Sequence, residues 1–291
     1  MQGLNEQQKA ILLRRASRAS VATATVLLIA KLVAWGMTGS VSILATFMDS
    51  LLDAFASVIN LVAISIALKP ADEDHNYGHG KAEQLAALAQ SAFIAGSGLF
   101  LILHAVDGIR HGGGIENKQV ALAVMALSMA LTMALVVYQT HVVKLTGSLA
   151  IQTDSMHYRM DLLTNLGVVC ALIMVAAGFP EADPVIGMLI AIYMIFSVGK
   201  VAWQAIQMLM DQALDQEKEQ LIREQVLAVE QVLDLHNLRT RMSGVTPVIQ
   251  LDLDLDGNLS LEEAHDIGKA VQKQLLKHMP DADITIHLDP N

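Results

Sequence analysis

Cysteine is almost missing from this chain of 291 residues: Cys170 stands alone inside an apolar run. That excludes a disulfide framework and a thiolate metal cluster, and leaves Cys170 to be read as a small core residue. Charge is scarce too, at 16% against the quarter usual in a soluble domain. What charge there is sums to −10, which argues against a nucleic-acid partner and suits a chain that handles cations. Met1 to Ser20 is basic but lacks a short apolar core followed by a small-residue cleavage site, so no cleaved signal peptide is expected. No G-x-G-D sequence occurs, which removes the motif an intramembrane aspartyl protease would need.

Apolar residues are abundant, at 53%, and the mean hydropathy is +0.45. They are also segregated. Residues 1–210 are mostly apolar, whereas 211–291 are rich in Asp, Glu, Lys and His, so a membrane domain followed by a soluble domain is expected. A span needs ~20 predominantly apolar residues. Six runs qualify, at about 17–37, 42–68, 83–109, 118–141, 147–178 and 185–209. Turn chemistry separates them: Gly36 to Gly39, Lys69–Pro70, Gly112–Gly113–Gly114, Gly147–Ser148 and Gly178–Phe179–Pro180. Lys9, Arg14, Arg15, Arg18, Lys69, Lys81 and Lys144 all fall on one side of such a bundle, with only Arg110 and Lys118 on the other. This asymmetry places both termini in the cytoplasm. Gly96 and Gly98 in the third run suit close helix packing or a lipid-facing surface.

Beyond 210 the periodicity changes. Residues 216–230 read as an amphipathic helix, and 233–242 as a strand or irregular stretch. From Val248 to Asp256 the chain alternates, with Ile249, Leu251, Leu253 and Leu255 on one face and Gln250, Asp252, Asp254 and Asp256 on the other. Ser260 and Glu263 form a capping box that opens a helix to about His278, and 283–288 reads as a last strand. The order helix–strand–strand–helix–strand fits a small α+β domain with its helices on one face of a sheet.

Against the apolar background, two pairs are out of place. Asp49 and Asp53 lie in the second run, His157 and Asp161 in the fifth, each at i, i+4 and hence on one helical face. A carboxylate at the bilayer centre costs at least ~2.5–3.5 kcal/mol, so these three need compensation. One compensation is ordinary: Lys31 in the first run as a partner, with Asp154 and Arg159 marking an aqueous entrance to the fifth. The other is chemical. Three oxygens and an imidazole nitrogen make a tetrahedral set for a zinc-like dication, and a ligand His must be neutral. With an imidazole reference pKa of ~6.5, protons and metal would compete for one site near neutral pH.

Other clusters are weaker. Asp72, His75 and His79 lie close enough in one loop to hold a metal, or simply form a solvated charged loop. His236, His265, His287 and Asp289 share no local spacing and would read as surface groups. Asp252-x-Asp254-x-Asp256-Gly257-x₅-Glu263 satisfies a calcium-loop pattern, but an EF-hand needs a helix before it and here an alternating strand precedes it.

The two intramembrane pairs, the stretch His75-Asn-Tyr-Gly-His79-Gly-Lys81 and the C-terminal His and Asp positions resemble the cation diffusion facilitator family over nearly the whole chain. The resemblance implies six spans, a ferredoxin-like cytoplasmic domain, a homodimer in a bacterial inner membrane, and exchange of Zn²⁺ for H⁺ with no organic cofactor. Fe²⁺, Cd²⁺ and Co²⁺ are further candidate cargoes. It assigns transport to Asp49, Asp53, His157 and Asp161, and a second zinc site to Asp72, His75 and His79. A binuclear zinc site between cytoplasmic domains would draw on His236, Asp252, His265, His287 and Asp289. Asp252 departs from the family here, standing where close relatives carry a histidine. Lys81 and Asp211 would form an interlocking salt bridge near the membrane surface. The rival reading is a membrane-anchored divalent-ion sensor without transport.

Overall fold

The computed structural model describes residues 5–38, 41–111, 118–179 and 182–291. Six long helices come first: α1 (Glu6–Thr38), α2 (Val41–Ala67), α3 (Ala82–His111), α4 (Lys118–Thr146), α5 (Leu149–Ala176) and α6 (Ala182–Leu209). All six are long and apolar enough to cross a membrane. The turn signals at Gly39, Gly112–Gly114 and Pro180 lie outside the described residues. At the α4–α5 break, Gly147 takes φ +71 and Ser148 caps α5 by accepting the Ile151 N–H at 3.2 Å. α1 begins well before the first apolar run. Its 33 residues extend ~50 Å, so its basic first turns emerge from the bilayer.

The helices show why apolar residues in a membrane protein need not be core residues. Phe55, Phe100 and Phe196 point outward, Phe100 at 72% exposure, where lipid replaces water. Cys170, read above as a core residue, is likewise exposed: the run that contains it is apolar all round, and periodicity could not tell the lipid face from the core face. Two glycines let helices approach closely. A Cβ on Gly98 of α3 would meet Ile195 of α6 at 3.0 Å, and one on Gly167 of α5 would meet Ile190 of α6 at 2.4 Å. A Cβ on Gly96 would meet nothing within 4 Å.

The small domain follows as α7 (Gln216–Leu227), β1 (Asp234–Ser243), β2 (Thr246–Leu255), α8 (Leu261–His278) and β3 (Asp283–Pro290). The strand order is β1-β2-β3, with β2 antiparallel to β1 and parallel to β3. The alternation in β2 has the consequence expected of it. Ile249, Leu251, Leu253 and Leu255 are buried in one core with Ile222 and Val226 of α7 and Ile267, Val271 and Leu275 of α8. Since both helices cover that face, the Asp252 and Asp254 side chains project from the other. β2 occupies the place where an EF-hand would put its first helix. Asp256 accepts from the Asn258 N–H at 2.9 Å, and Glu263 from the Ser260 N–H at 2.8 Å. The calcium-loop pattern is thus used as a turn and a helix cap.

α6 ends in a Schellman motif: the Gln212 N–H bonds to the Gln207 carbonyl at 3.0 Å and the Asp211 N–H to Met208 at 3.3 Å. Asp211 occupies the left-handed position usually given to glycine, with φ +59. A side chain there costs roughly 1–2 kcal/mol. The carboxylate it provides lies 2.9 Å from Lys81 Nζ and 3.5 Å from the Arg241 guanidinium. The two domains therefore meet through this carboxylate, through Lys9 of α1 with Asp281, and through Gly80 against the β1–β2 turn.

Candidate metal centres

α2 and α5 bring three ligand-type side chains together inside the bundle. His157 Nε2 lies 2.9 Å from Asp53 Oδ1 and 3.6 Å from Asp161 Oδ2. Ligands on a zinc-sized ion at ~2.0–2.2 Å in tetrahedral array stand about 3.3–3.6 Å apart, so little movement would be needed to enclose one. His157 is 6% exposed, with Phe93 tilted against its ring at 6.1 Å and Tyr158 beside it. The Tyr158 hydroxyl is 2.8 Å from Ser57 Oγ, and Ser57 is 3.0 Å from Ser20 Oγ, tying α5 to α2 and α1. Asp49 does not join the three. It stands one helical turn from Asp53 on α2 and is exposed, and only Asp53 is level with the imidazole. Lys31, expected as a carboxylate partner, donates to Ser50 Oγ at 2.6 Å.

Asp154 is a correction. Instead of marking an aqueous entrance, it is 0% exposed, with Oδ1 accepting from Gln90 Nε2 at 3.0 Å and Oδ2 from Gln139 Nε2. Arg159 remains at the surface, donating to Thr140 Oγ1. A lone Asp one turn before His157 carries no sequence signal of its own; the glutamines on two other helices reveal it.

In the loop between α2 and α3, Asp72 lies 3.4 Å from His75 Nδ1 and 3.3 Å from His79 Nε2. His79 Nδ1 is 3.2 Å from the Pro70 carbonyl, which can only accept, so the ring proton belongs on Nδ1. Nε2 then turns a lone pair toward the Asp72 carboxylate, an arrangement suited to a cation between them. The His75 backbone N–H, ahead of the nearby histidines, holds the Asp72 carboxyl below its usual range.

On the uncovered face of the small domain, register does what sequence spacing does not. His236, Asp252 and His287 are cross-strand neighbours, and so are Asp254 and Asp289. His236 Nδ1 lies 3.3 Å from Asp254 Oδ1 and Nε2 3.2 Å from Asp289 Oδ2. Asp254 was not among the expected ligands. Asp252 accepts from Asn237 Nδ2 at 2.8 Å and keeps 3.8 Å from His236. His287 contacts Asp289 at 3.1 Å, while His265 is exposed on α8 outside the cluster.

Comparison with known proteins agrees with this architecture. The family model "Cation efflux transmembrane domain" matches residues 17–210, and "Cation efflux protein, cytoplasmic domain" matches 214–291. A cation-efflux pump FieF from Serratia proteamaculans is 42% identical over 98% of this chain and 95% of its own. One from Shewanella oneidensis is 44% identical over 94% and 93%. The metal-bound C-terminal domain of the CzcD transporter from Thermotoga maritima is 30% identical over 26% of this chain and 94% of its own, with a TM-score of 0.24.

Proposed function

The chain belongs to the cation diffusion facilitator family of cation efflux proteins, and on that premise we propose that it exports Zn²⁺ in exchange for H⁺. Fe²⁺, Cd²⁺ and Co²⁺ are the other candidate cargoes. The observation that carries the reading is the meeting of Asp53, His157 and Asp161 within membrane-spanning helices. Asp49, one turn along α2, supplies the fourth ligand once the helix turns or shifts by part of a turn. Ligation requires a deprotonated imidazole and ionised carboxylates, so an entering ion displaces protons. The apolar surroundings make an empty, fully ionised site costly, so protons replace the departing ion. The two processes are then alternatives at one site, which is the condition for exchange.

The chain divides in this reading into a transport domain, 1–210, and a metal-binding domain, 211–291. Both termini lie in the cytoplasm of a bacterium, with the spans in its inner membrane, as the placement of the basic residues favours. Asp72, His75 and His79 hold a second zinc ion. The uncovered sheet face, bearing His236, Asp252, Asp254, His287 and Asp289, meets its counterpart in a homodimer around zinc, to which His265 of α8 also contributes. Lys81 and Asp211 interlock the spans with that dimer.

The test is zinc flux in proteoliposomes, wild type beside Asp53→Ala, with and without an imposed pH gradient and at equal reconstitution of folded protein. Gradient-dependent flux that the substitution abolishes is expected. Full flux in the variant would remove Asp53 from the transport site. No flux in either, with zinc or the other candidate ions, would favour the membrane-anchored sensor.

A further inference from the structure

α2 and α5 carry the intramembrane ligands, yet they touch each other little; α5 packs chiefly on α4, α6 and α3. Beyond the single Tyr158–Ser57 hydrogen bond, the alignment of His157 with Asp53 therefore leans on contacts outside the pair. Asp154 sits on α5 one turn before His157, fully buried, and has no ion-pair partner among the described residues. A buried carboxylate without a cation is a poor choice for stability alone. Its two oxygens instead accept from two different helices, Gln90 of α3 and Gln139 of α4, and the Ser20 hydroxyl of α1 also interacts with the carboxylate. A second polar tie lies about one turn nearer the start of α5, where Glu83 of α3 accepts the Ala150 N–H at 3.3 Å.

We propose that Asp154 is a positioning residue: its hydrogen bonds to Gln90 and Gln139 lock α5 between α3 and α4, at the rotation and height that bring His157 to Asp53. The glutamines point to the decisive variant. Oε1 of Gln90 and Oε1 of Gln139 are both buried without a partner. If one amide turns over, it can accept from an asparagine N–H₂ while the other still donates to the asparagine oxygen. Asp154→Asn therefore keeps both ties without the charge, and Asp154→Ala loses both.

This inference rests on the transport-site reading above. The experiment is zinc flux at varied zinc concentration in proteoliposomes, with Asp154→Asn, Asp154→Ala, Gln90→Ala, Gln139→Ala and Asp53→Ala, each normalised to folded, reconstituted protein. Asp154→Ala should raise the zinc KM about tenfold or more with a smaller change in maximal rate, because a misplaced ligand weakens capture. Asp154→Asn should stay within about threefold of wild type, and each glutamine variant should fall between. Loss of folded protein with an unchanged KM in what remains would overturn the proposal in favour of a purely structural role. Asp154→Asn as poor as Asp154→Ala would overturn it too, since the charge itself would then be required. Should Asp154→Ala not fold, the glutamine variants decide: an unchanged KM in both sinks the proposal. Asp53→Ala separates the two readings. If it transports normally, the site assignment falls; if it is inactive while Asp154→Ala is normal, only the positioning role falls.

Discussion

Asp252 and Asp254 lie two residues apart on the same face of β2, yet they have different tasks. Asp254 pairs with His236 Nδ1 at 3.3 Å, whereas Asp252 is held by Asn237 at 2.8 Å. Asn237 takes φ +49 in the irregular stretch of β1, where the register shifts between His236 and Arg239. The shift leaves His236 directly opposite Asp252, and its ring reaches diagonally to Asp254, which counting along the strand would not have chosen. If the sheet-face cluster binds metal, Asp254→Ala should weaken zinc binding to the full chain by at least the ~10–100-fold that loss of a supporting group costs. Asp252→Ala should cost less. Calorimetry in detergent would measure both, and equal losses, or none from Asp254→Ala, would remove Asp254 as the stronger ligand.

At the scale of elements, α8 shows a pattern carried intact from sequence into structure. Ser260 Oγ accepts the Glu263 N–H at 3.3 Å, and the Glu263 carboxylate accepts from the Ser260 N–H and hydroxyl at 2.8 and 2.6 Å. Ser260→Ala should destabilise the helix by about 1 kcal/mol, read as faster amide exchange in its first turn. The Ser260 hydroxyl and N–H hold the Glu263 carboxyl below its usual range. A depressed carboxyl contributes above its unfolded pKa, ~4.3, and loses that contribution as pH falls through the folded value. The protection factor in that turn, exchange measured against the intrinsic rate at each pH, should therefore fall on acidification below about pH 4 in wild type, and much less in Glu263→Gln. Unchanged exchange in Ser260→Ala would show the cap to be dispensable. α5 behaves differently. Its cap at Ser148 and its His157–Asp161 spacing are legible, but its inward face is set by partners on α2, α3 and α4.

For the whole molecule, the junction between the domains concentrates on a few atoms. A Cβ on Gly80 would lie 2.6 Å from the Ser243 carbonyl carbon, and Gly244, at φ +60, faces Gly80 across the same contact. Backbone meets backbone there, so no side chain can yield. His79, a member of the loop cluster, immediately precedes Gly80, and Lys81 follows it to reach Asp211. Gly80→Ala should push the β1–β2 hairpin away from the loop. Hydrogen exchange across residues 243–247 should rise while the small domain's core stays protected. Unchanged exchange there would mean that the hairpin does not rest on the loop in the membrane.

The sequence by itself determined the six spans, the order of elements in the small domain, the buried face of β2 and the i, i+4 placing of Asp49 with Asp53 and of His157 with Asp161. Each of these is local: an apolar run of sufficient length, a period of two, or a pair at i, i+4 is fixed by neighbours along the chain. Tertiary structure alone decided that Asp154 is buried between two glutamines, that Cys170 faces outward, that Asp49 stands apart from the imidazole and that Asp254 joins His236. These depend on helix rotation, on strand register and on which apolar surface meets lipid and which meets protein. Contacts across the fold set those quantities, and no local pattern in the chain encodes them.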